Sequence, residues 1–235
     1  MLHPDGYARR LVNYDARGNS IEEAYVDFSG DPVVHRKLGF SRMWQRFDTQ
    51  GNLIARFWFG SGGVPSPLSA RYAYDARGNR IEELYVDDDE RPFTVAAGFA
   101  KIRYQYDTRG DQILQSYYDS AGRPARSIQG YASVSRAYNA LGKLIEEAYF
   151  DVGDRPTLSV DRYAKVRWKY DNRSNKTEEA YFGIDDRPTR SKQGYLKIVW
   201  VYDALGNVID TQHVTAQADE PIQREHSAVD NAVRQ

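Results

Sequence analysis

The sequence lacks cysteine and contains only four histidines, at positions 3, 35, 213 and 226. The absence of cysteine excludes disulfides, thiolate catalysis and zinc–thiolate sites. The four histidines are too scattered along the chain to indicate a metal cluster. We therefore expect neither a metal ion nor another cofactor.

An excess of one charge and a long apolar segment are also missing. Lysine and arginine number 32 against 33 aspartates and glutamates, a formal net charge of -1. This balance does not favour attraction to nucleic acids, and we expect no nucleic-acid partner. No apolar run approaches the roughly 20 residues of a membrane helix, and the start of the chain does not resemble a signal peptide. We expect no membrane insertion.

A repeated turn motif fills most of the chain. It consists of an aromatic residue, usually tyrosine, followed by Asp-x-x-Gly-Asn or a close variant. The intervals between these aromatic residues are 33 residues, then 27, then 32 four times. Positions below are counted from this turn aromatic, with Ile usual at +7, an aromatic residue at +11 and Pro at +18. The seven turn aromatics are Tyr14, Phe47, Tyr74, Tyr106, Tyr138, Tyr170 and Tyr202.

Each copy predicts a β-hairpin. The Asp side chain can bond to the backbone two residues on, and the Gly supplies a positive φ. Before the turn, apolar and polar residues alternate as in a half-buried strand, and the later Pro ends the second strand. Folding the sixth hairpin symmetrically about its turn places Trp168 near Thr177 and Val166 near Glu179, with the +7 residue on the buried face.

These features predict an all-β protein. We expect an elongated repeat array of stacked antiparallel hairpins, a twisted meander or solenoid, because a single hairpin is not stable alone. The array of seven repeats occupies 1–214. Residues 215–235 show neither repeat nor periodicity and are predicted to be a short disordered polar tail or linker.

The recurring Tyr-Asp-x-x-Gly-Asn motif resembles the YD repeats of bacterial RHS-type proteins, here as a long variant of about 32 residues. The resemblance covers the turn and the alternating strands in all seven repeats. It implies a bacterial β-sheet scaffold that wraps, displays or binds rather than catalyses. It also implies a cell-envelope or secreted location.

A column of glutamates at +9 is the first chemical candidate, because paired carboxylates beside aromatic rings can catalyse glycoside hydrolysis. We instead predict ladders of structural ion pairs. Arginines precede the loop prolines, and Arg10 lies opposite Glu23 in the first repeat, where that arginine is absent. The predicted pairs join Glu147 to Arg155 and Glu179 to Arg187.

A strand face with aromatic and cationic side chains is the candidate binding face. Such residues can stack on sugars or pair with acidic groups of a partner. Alternatively, the rings pack across the hairpin and the cations are solvated or paired with the +8 glutamates, as Arg167 opposite Glu178 suggests. The candidate residues are Phe99, Lys101, Arg103, Tyr131, Tyr163, Lys165, Arg167, Tyr195 and Lys197.

The sequence thus favours a non-enzymatic bacterial repeat scaffold that presents an extended surface to another protein or, as a second possibility, to a glycan. No catalytic residue is assigned. Two alternatives are a glycosidase-like enzyme that uses carboxylates on the aromatic face and a purely structural spacer within a larger RHS-like protein.

Overall fold

The computed structural model describes residues 2–60 and 65–215, and this part of the chain contains strands and no helix. The all-β prediction is confirmed. The chain forms two compact units, Met1–Ile128 and Gln129–Gln235. The fourteen strands are β1 (Arg9–Tyr14), β2 (Ser20–Val26), β3 (Arg42–Phe47), β4 (Leu53–Phe59), β5 (Pro65–Tyr74), β6 (Arg80–Val86), β7 (Lys101–Tyr106), β8 (Gln112–Tyr118), β9 (Ser133–Tyr138), β10 (Leu144–Phe150), β11 (Lys165–Tyr170), β12 (Lys176–Phe182), β13 (Lys197–Tyr202) and β14 (Val208–Val214).

Each unit is an antiparallel sheet in which the strands follow one another in chain order. The first unit contains β1–β8 and the second β9–β14, and each odd-numbered strand forms a hairpin with the strand that follows it. No helix in the described residues has the length and apolarity needed to cross a membrane. Apart from Thr215, the predicted tail or linker at 215–235 lies outside the described residues.

The hairpin turns have the predicted chemistry. In the sixth repeat, the Asp171 carboxylate accepts from the backbone amides of Arg173 and Asn175, both at 2.9 Å. The backbone amide of Asp171 donates to the Asn175 carbonyl at 3.0 Å and closes the turn. The Asn175 side chain adds a bond to the carboxylate, which holds the pKa of Asp171 below its usual value. The residue before this asparagine has a positive φ, as at Gly18 (85°) and Ser174 (68°).

The hairpin register differs from the symmetric prediction because each hairpin carries a β-bulge. Tyr170 pairs with Lys176 but Lys169 pairs with Glu178, so Thr177 at +7 is the extra residue. The same irregularity occurs at +7 in all seven hairpins. A bulge moves the rest of the strand by one residue. The turn is also one residue longer than in the symmetric prediction, because Tyr170 pairs with Lys176 and not with Asn175. Turn and bulge together shift the pairing by two residues, so Val166 pairs with Tyr181 and Trp168 with Glu179.

The bulge also changes the environment of the +7 side chain. Isoleucine at this position was predicted on the buried face, but Ile81 and Ile209 are exposed. The largest fully buried apolar side chains are instead valines of the strands, Val86 in the first unit and Val134 and Val166 in the second.

The proline loop is built from two further tight turns. After β10, the backbone amide of Asp151 donates to the Arg155 carbonyl (2.9 Å), and Phe150 forms an isolated bridge with Pro156. The amide of Ser159 then donates to the Tyr163 carbonyl at 2.9 Å. This second turn leads directly into the next repeat, so the loop is ordered by its own backbone.

Successive hairpins meet at what we call a joint, the contact of the second strand of one repeat with the first strand of the next. Between β12 and β13, the ladder comprises Glu178–Val199, Glu179–Ile198 and Ala180–Lys197. The hydroxyl of Tyr202 extends the joint towards the turn, because it donates to the Lys176 carbonyl at 2.7 Å. Equivalent bonds join Tyr74 to Leu53, Tyr106 to Arg80 and Tyr170 to Leu144.

The second repeat shows that this bond can be replaced. Its turn aromatic is Phe47, which has no hydroxyl to donate to the preceding +6 carbonyl, that of Ser20. The side-chain amide of Gln45, oriented so that both of its ends find partners, donates to the Ser20 carbonyl at 2.9 Å. The same carbonyl is therefore satisfied from a different position.

We predict that Ser174→Gly stabilises the protein. Ser174 has φ of 68°, where a side chain is strained and glycine is not. The free energy of unfolding should rise by roughly 0.5 to 1 kcal/mol, measured by urea denaturation. Ser174→Ala retains the strained Cβ and should give no such gain. An equal gain in both variants would contradict this explanation.

We also predict that Tyr170→Phe destabilises the protein, because the Leu144 carbonyl loses its donor. The cost should be about 1 kcal/mol in the free energy of unfolding. Tyr14→Phe is the control, since Tyr14 belongs to the first repeat and its side chain is 62% exposed. The prediction fails if both variants have the unfolding midpoint of the unmodified protein.

Candidate functional site

The aromatic and cationic members of the predicted binding face lie on opposite sides of the sheet. In the sixth repeat, the Tyr163 ring packs on Tyr181 with centroids 4.9 Å apart. The Arg167 guanidinium instead lies over the ring of Phe182, 4.7 Å from its centroid. Tyr181 and Phe182 are neighbours on one strand, so their side chains point to opposite faces. The predicted single face is therefore wrong for this repeat.

The turn before β11 explains why the aromatic and cationic side chains lie on opposite faces. Tyr163 precedes β11 and follows Arg162, whose φ is 70°. The left-handed residue breaks the alternation that the sequence pattern assumed, and the ring turns towards the +11 tyrosines. Phe99, Tyr131 and Tyr195 likewise follow left-handed glycines, at positions 98, 130 and 194.

These rings form an aromatic column in each unit. In the first unit Phe99 contacts Tyr85 (6.1 Å between centroids) and Tyr117 (4.8 Å). The column of the second unit contains four tyrosines, and Tyr195 of the same unit stacks on His213 with centroids 4.3 Å apart. Burial, with the nearby Asp161 charge, raises the pKa of Tyr163 to about 12. The four tyrosines are Tyr131, Tyr149, Tyr163 and Tyr181, with successive centroids 4.6, 5.9 and 4.9 Å apart.

The cationic residues are neutralised by the +8 glutamates. Arg103 pairs with Glu82 at 3.0 Å, and Lys101 lies 3.9 Å from the same carboxylate. Lys197 pairs with Glu178 at 3.1 Å. This side of the sheet therefore carries matched charges at its joints, and a binding role for these residues stays a prediction.

Arg167 pairs across the joint rather than within its hairpin. Its Nε lies 2.8 Å from Glu146 of the preceding repeat, and Lys165 lies 3.0 Å from Asp186. Glu178, the predicted partner of Arg167, pairs with Lys169 and Lys197. The longer turn and the bulge at Thr177 explain the difference, because together they place Ala180 opposite Arg167.

The +9 glutamates bind tyrosine hydroxyls and local cations. Glu147 accepts from the Tyr149 hydroxyl at 3.0 Å and from Arg136 Nε at 2.7 Å. Burial, followed by the nearby charge of Glu147, raises the pKa of Tyr149 above its ordinary range. The Tyr149 hydroxyl therefore stays protonated and serves as a donor.

The other glutamates of this column are held similarly. Glu179 accepts from the Tyr181 hydroxyl and from Lys176, both at 2.7 Å, and from Trp168 Nε1 at 2.9 Å. Burial alone would raise the pKa of Glu179, but these three bonds outweigh burial, and the pKa lies below its ordinary value. In the first unit, Glu23 accepts from Arg10 at 2.8 Å, which confirms that predicted partner.

The predicted ladder of loop arginines is wrong. Arg155 pairs with Asp151 at 3.0 Å, its side chain is 79% exposed, and it lies away from Glu147. Arg187 lies near Asp185 at 3.7 Å rather than at Glu179. The tight turn explains both positions, because the backbone amide of each arginine donates to an aspartate of the turn, Arg155 to Asp151 at 3.1 Å and Arg187 to Asp185 at 3.2 Å.

A groove on the first unit was not predicted from the sequence. It has a volume of about 820 Å³ and lies over β2–β5 on the side of the sheet that carries the cations. Aromatic side chains replace the usual residues there. Trp44 stands at −3, where other repeats carry Arg103 or Arg167, and Phe57 stands at +10, a position that is alanine in three repeats.

The groove aromatics are held in fixed positions. The Trp44 ring packs edge-on against Phe59, with centroids 4.7 Å apart, and its Nε1 donates to Glu22 at 3.0 Å. The Arg71 guanidinium lies 4.6 Å from the centroid of the Phe57 ring and pairs with Glu90. Trp44 is nevertheless 43% exposed. The groove thus presents a rigid, accessible indole.

The charge around the groove is predominantly negative. Five carboxylates line it, against two guanidinium groups. The bond from Trp44, which outweighs the effect of burial, holds the pKa of Glu22 below its ordinary value, so Glu22 is ionised at neutral pH. Within the described residues, no group of three or more His, Asp or Glu side chains is arranged to hold a metal ion. The lining carboxylates are Asp15, Glu22, Asp87, Asp88 and Glu90.

No family model matches the chain, and no curated protein matches it. Among solved structures, the crystal structure of TcdB2-TccC3-TEV is 14% identical over 93% of this chain and 10% of that chain, with a TM-score of 0.49. TcdB2-TccC3 without its hypervariable C-terminal region is 15% identical over 90% of this chain and 10% of that chain, with a TM-score of 0.47.

The Photorhabdus luminescens Tc holotoxin pore is 13% identical over 89% of this chain and 11% of that chain, with a TM-score of 0.41. The chain spans only about a tenth of the length of these similar chains. At these identities and TM-scores, the likeness assigns neither a family nor a function.

We predict that Glu147→Gln destabilises the second unit. The substitution removes the charge that compensates Arg136, and both side chains are only 20% exposed. The free energy of unfolding should fall by about 1 kcal/mol in urea denaturation. Arg155→Gln is the control, because this exposed arginine pairs only with its turn aspartate and should change stability by less than about 0.5 kcal/mol. This explanation is contradicted if Arg155→Gln lowers the free energy of unfolding more than Glu147→Gln does.

Proposed function

We propose that the chain is a non-enzymatic repeat scaffold of the bacterial RHS type and that it binds another protein. The observation that carries the proposal is the groove around Trp44. Its aromatic floor is rigid, accessible and rimmed by carboxylates. A location at the cell envelope or outside the cell belongs to the same proposal and rests on the sequence resemblance.

The chemistry of the groove favours a segment with both basic and apolar side chains. Trp44 and Phe57 offer apolar area and π faces, on which lysine and arginine side chains stack favourably. The excess of carboxylates attracts the same cations and repels acidic segments. Because Trp44 is already fixed by Phe59 and Glu22, little side-chain freedom is lost when a partner binds.

A glycan is the second candidate ligand, favoured by the exposed indole of Trp44. A flat aromatic surface next to carboxylates can stack on a sugar ring and accept bonds from its hydroxyls. The net negative charge of the rim offers no advantage with a neutral sugar, whereas it does with a basic segment. We therefore place protein first.

The absence of catalysis is part of the proposal. The +9 glutamates recur at equivalent positions, and Glu23, Glu147 and Glu179 each bind a tyrosine hydroxyl and a cation from their own repeat. Such bonds hold these carboxylates in place within the packed sheet. They support a structural role better than the proton transfer that a glycosidase requires.

The proposal predicts that a short peptide of alternating lysine and leucine binds the groove. Titration followed by calorimetry should show binding that Trp44→Ala weakens by about tenfold or more. Binding should also weaken at high salt, because the rim is charged. Trp200→Ala, a tryptophan substitution in the other unit, is the matched control and should leave the affinity unchanged.

Three outcomes contradict the proposal. Equal binding of the glutamate–leucine analogue would show that charge does not select the ligand. Binding of a neutral oligosaccharide, with loss in Trp44→Ala, would identify a glycan site instead. The absence of binding by either peptide or sugar would favour the purely structural spacer.

A further inference from the structure

The joints within the two units share a small set of contacts between the second strand of one repeat and the first strand of the next. The +6 carbonyl accepts from the hydroxyl of the following turn tyrosine, as Lys176 does from Tyr202 (2.7 Å). The amide at +11 donates to the carbonyl at −6 of the next repeat, as Tyr181 does to Leu196 (3.0 Å). Tyr25, Tyr85 and Tyr149 make the same bond to Ser41, Ala100 and Ala164.

Four joints also carry an ion pair between the +8 carboxylate, Glu22, Glu82, Glu146 or Glu178, and a cation on the next repeat. The joint between β4 and β5 has Ala55 at +8 instead. The cation stands at −5 in the pairs Glu22–Arg42 (3.2 Å) and Glu178–Lys197 (3.1 Å). The hydroxyl bond, the amide bond and the ion pair thus recur at several joints, although the residues that make them differ.

Strand β14 presents one half of this set on an open edge. It pairs with β13, and no other strand of the described residues pairs with it. Its +6 carbonyl belongs to Val208, its +11 amide to His213 and its +8 carboxylate to Asp210. Apolar side chains are uncovered there: Ile209 is 64% exposed and Leu205 in the adjoining turn is 89% exposed.

Strand β1 presents the other half. It pairs with β2, and in the described part of the chain it has no neighbour on its opposite edge. The exposed hydroxyl of Tyr14, the carbonyl of Ala8 at −6 and the cation of Arg9 at −5 are the partners that β14 lacks. Leu11 on the same strand is also exposed.

We propose that β14 of one copy of this chain pairs with β1 of a second copy in a joint of the internal type. The register of the internal joints places Asp210 opposite Leu11, Thr211 opposite Arg10 and Gln212 opposite Arg9. Tyr14 donates to the Val208 carbonyl, and the amide of His213 donates to the Ala8 carbonyl. Asp210 then pairs with Arg9 as Glu178 pairs with Lys197.

The two edges differ from one another, so the contact is head-to-tail. A head-to-tail contact leaves one β1 edge and one β14 edge unpaired after each copy is added, so further copies can join. Two features favour a second copy as the occupant. The charges of Asp210 and Arg9 are complementary, and both edges carry exposed apolar side chains that a strand would cover.

Thr211→Pro is the sharpest test of this joint. Thr211 occupies the +9 position, two residues before His213, so its amide points to the same open edge as the +11 amide does in the internal joints. Proline is tolerated on an edge strand where the missing amide faces solvent, but it prevents another strand from pairing there. Thr211→Ala keeps the amide and is the control.

Sedimentation velocity of the full chain over a range of concentrations should show the mass rising above 26.9 kDa in the unmodified protein and in Thr211→Ala. Thr211→Pro should remain at the mass of one chain, with an unchanged far-ultraviolet spectrum and unfolding midpoint. A single-chain mass for the unmodified protein at every concentration overturns the proposal, as does assembly of Thr211→Pro equal to that of the control.

A charge exchange tests the register independently. Arg9→Glu and Asp210→Arg each place like charges across the joint, so either variant alone should assemble about tenfold more weakly. A mixture of the two restores one complementary joint and should yield a species containing one copy of each. If the mixture assembles no better than the single variants, the proposed register is wrong.

Discussion

The whole fold depends on the joint between successive hairpins, because no hairpin of this size holds its structure alone. The strand ladder of a joint is short, as the three pairs between β12 and β13 show. The turn tyrosine lengthens it, since its hydroxyl reaches the +6 carbonyl of the preceding repeat. Gln45 provides the same bond where Phe47 cannot. The +6 carbonyl therefore has a side-chain donor in both cases, and the residue that supplies the donor can change.

The turns and the all-β class could be predicted because their causes are local. An aspartate that bonds to an amide two residues on, and a residue with positive φ, act within a few positions of one another. The register could not be predicted in this way. The bulge at Thr177 shifts the second strand by one residue, and a symmetric hairpin contains no sign of it. Yet Ile or Thr recurs at +7 in every hairpin, and this regularity marks the bulge once it is known.

The candidate site was harder to predict because it depends on which side chains share a face. Tyr163 and Lys165 are two residues apart, which predicts one shared face, but the positive φ of Arg162 turns the Tyr163 ring to the other side. Arg155 was assigned to Glu147 by counting positions, whereas a tight turn holds it beside Asp151. The groove around Trp44 arises where the second repeat departs from the others. The regular positions of the repeat form the scaffold, and the candidate groove lies where the second repeat departs from them.

The spacing of the joints has a consequence for how the chain acquires its structure. The turn tyrosine and its acceptor are only 26 residues apart in three of the four joints where this bond is described. Folds dominated by contacts of short sequence separation pay little loop-closure entropy before each contact forms, and they fold faster than β proteins that join distant strands. During synthesis, a repeat can therefore complete its joint as soon as the next turn has left the ribosome, without waiting for the rest of the chain.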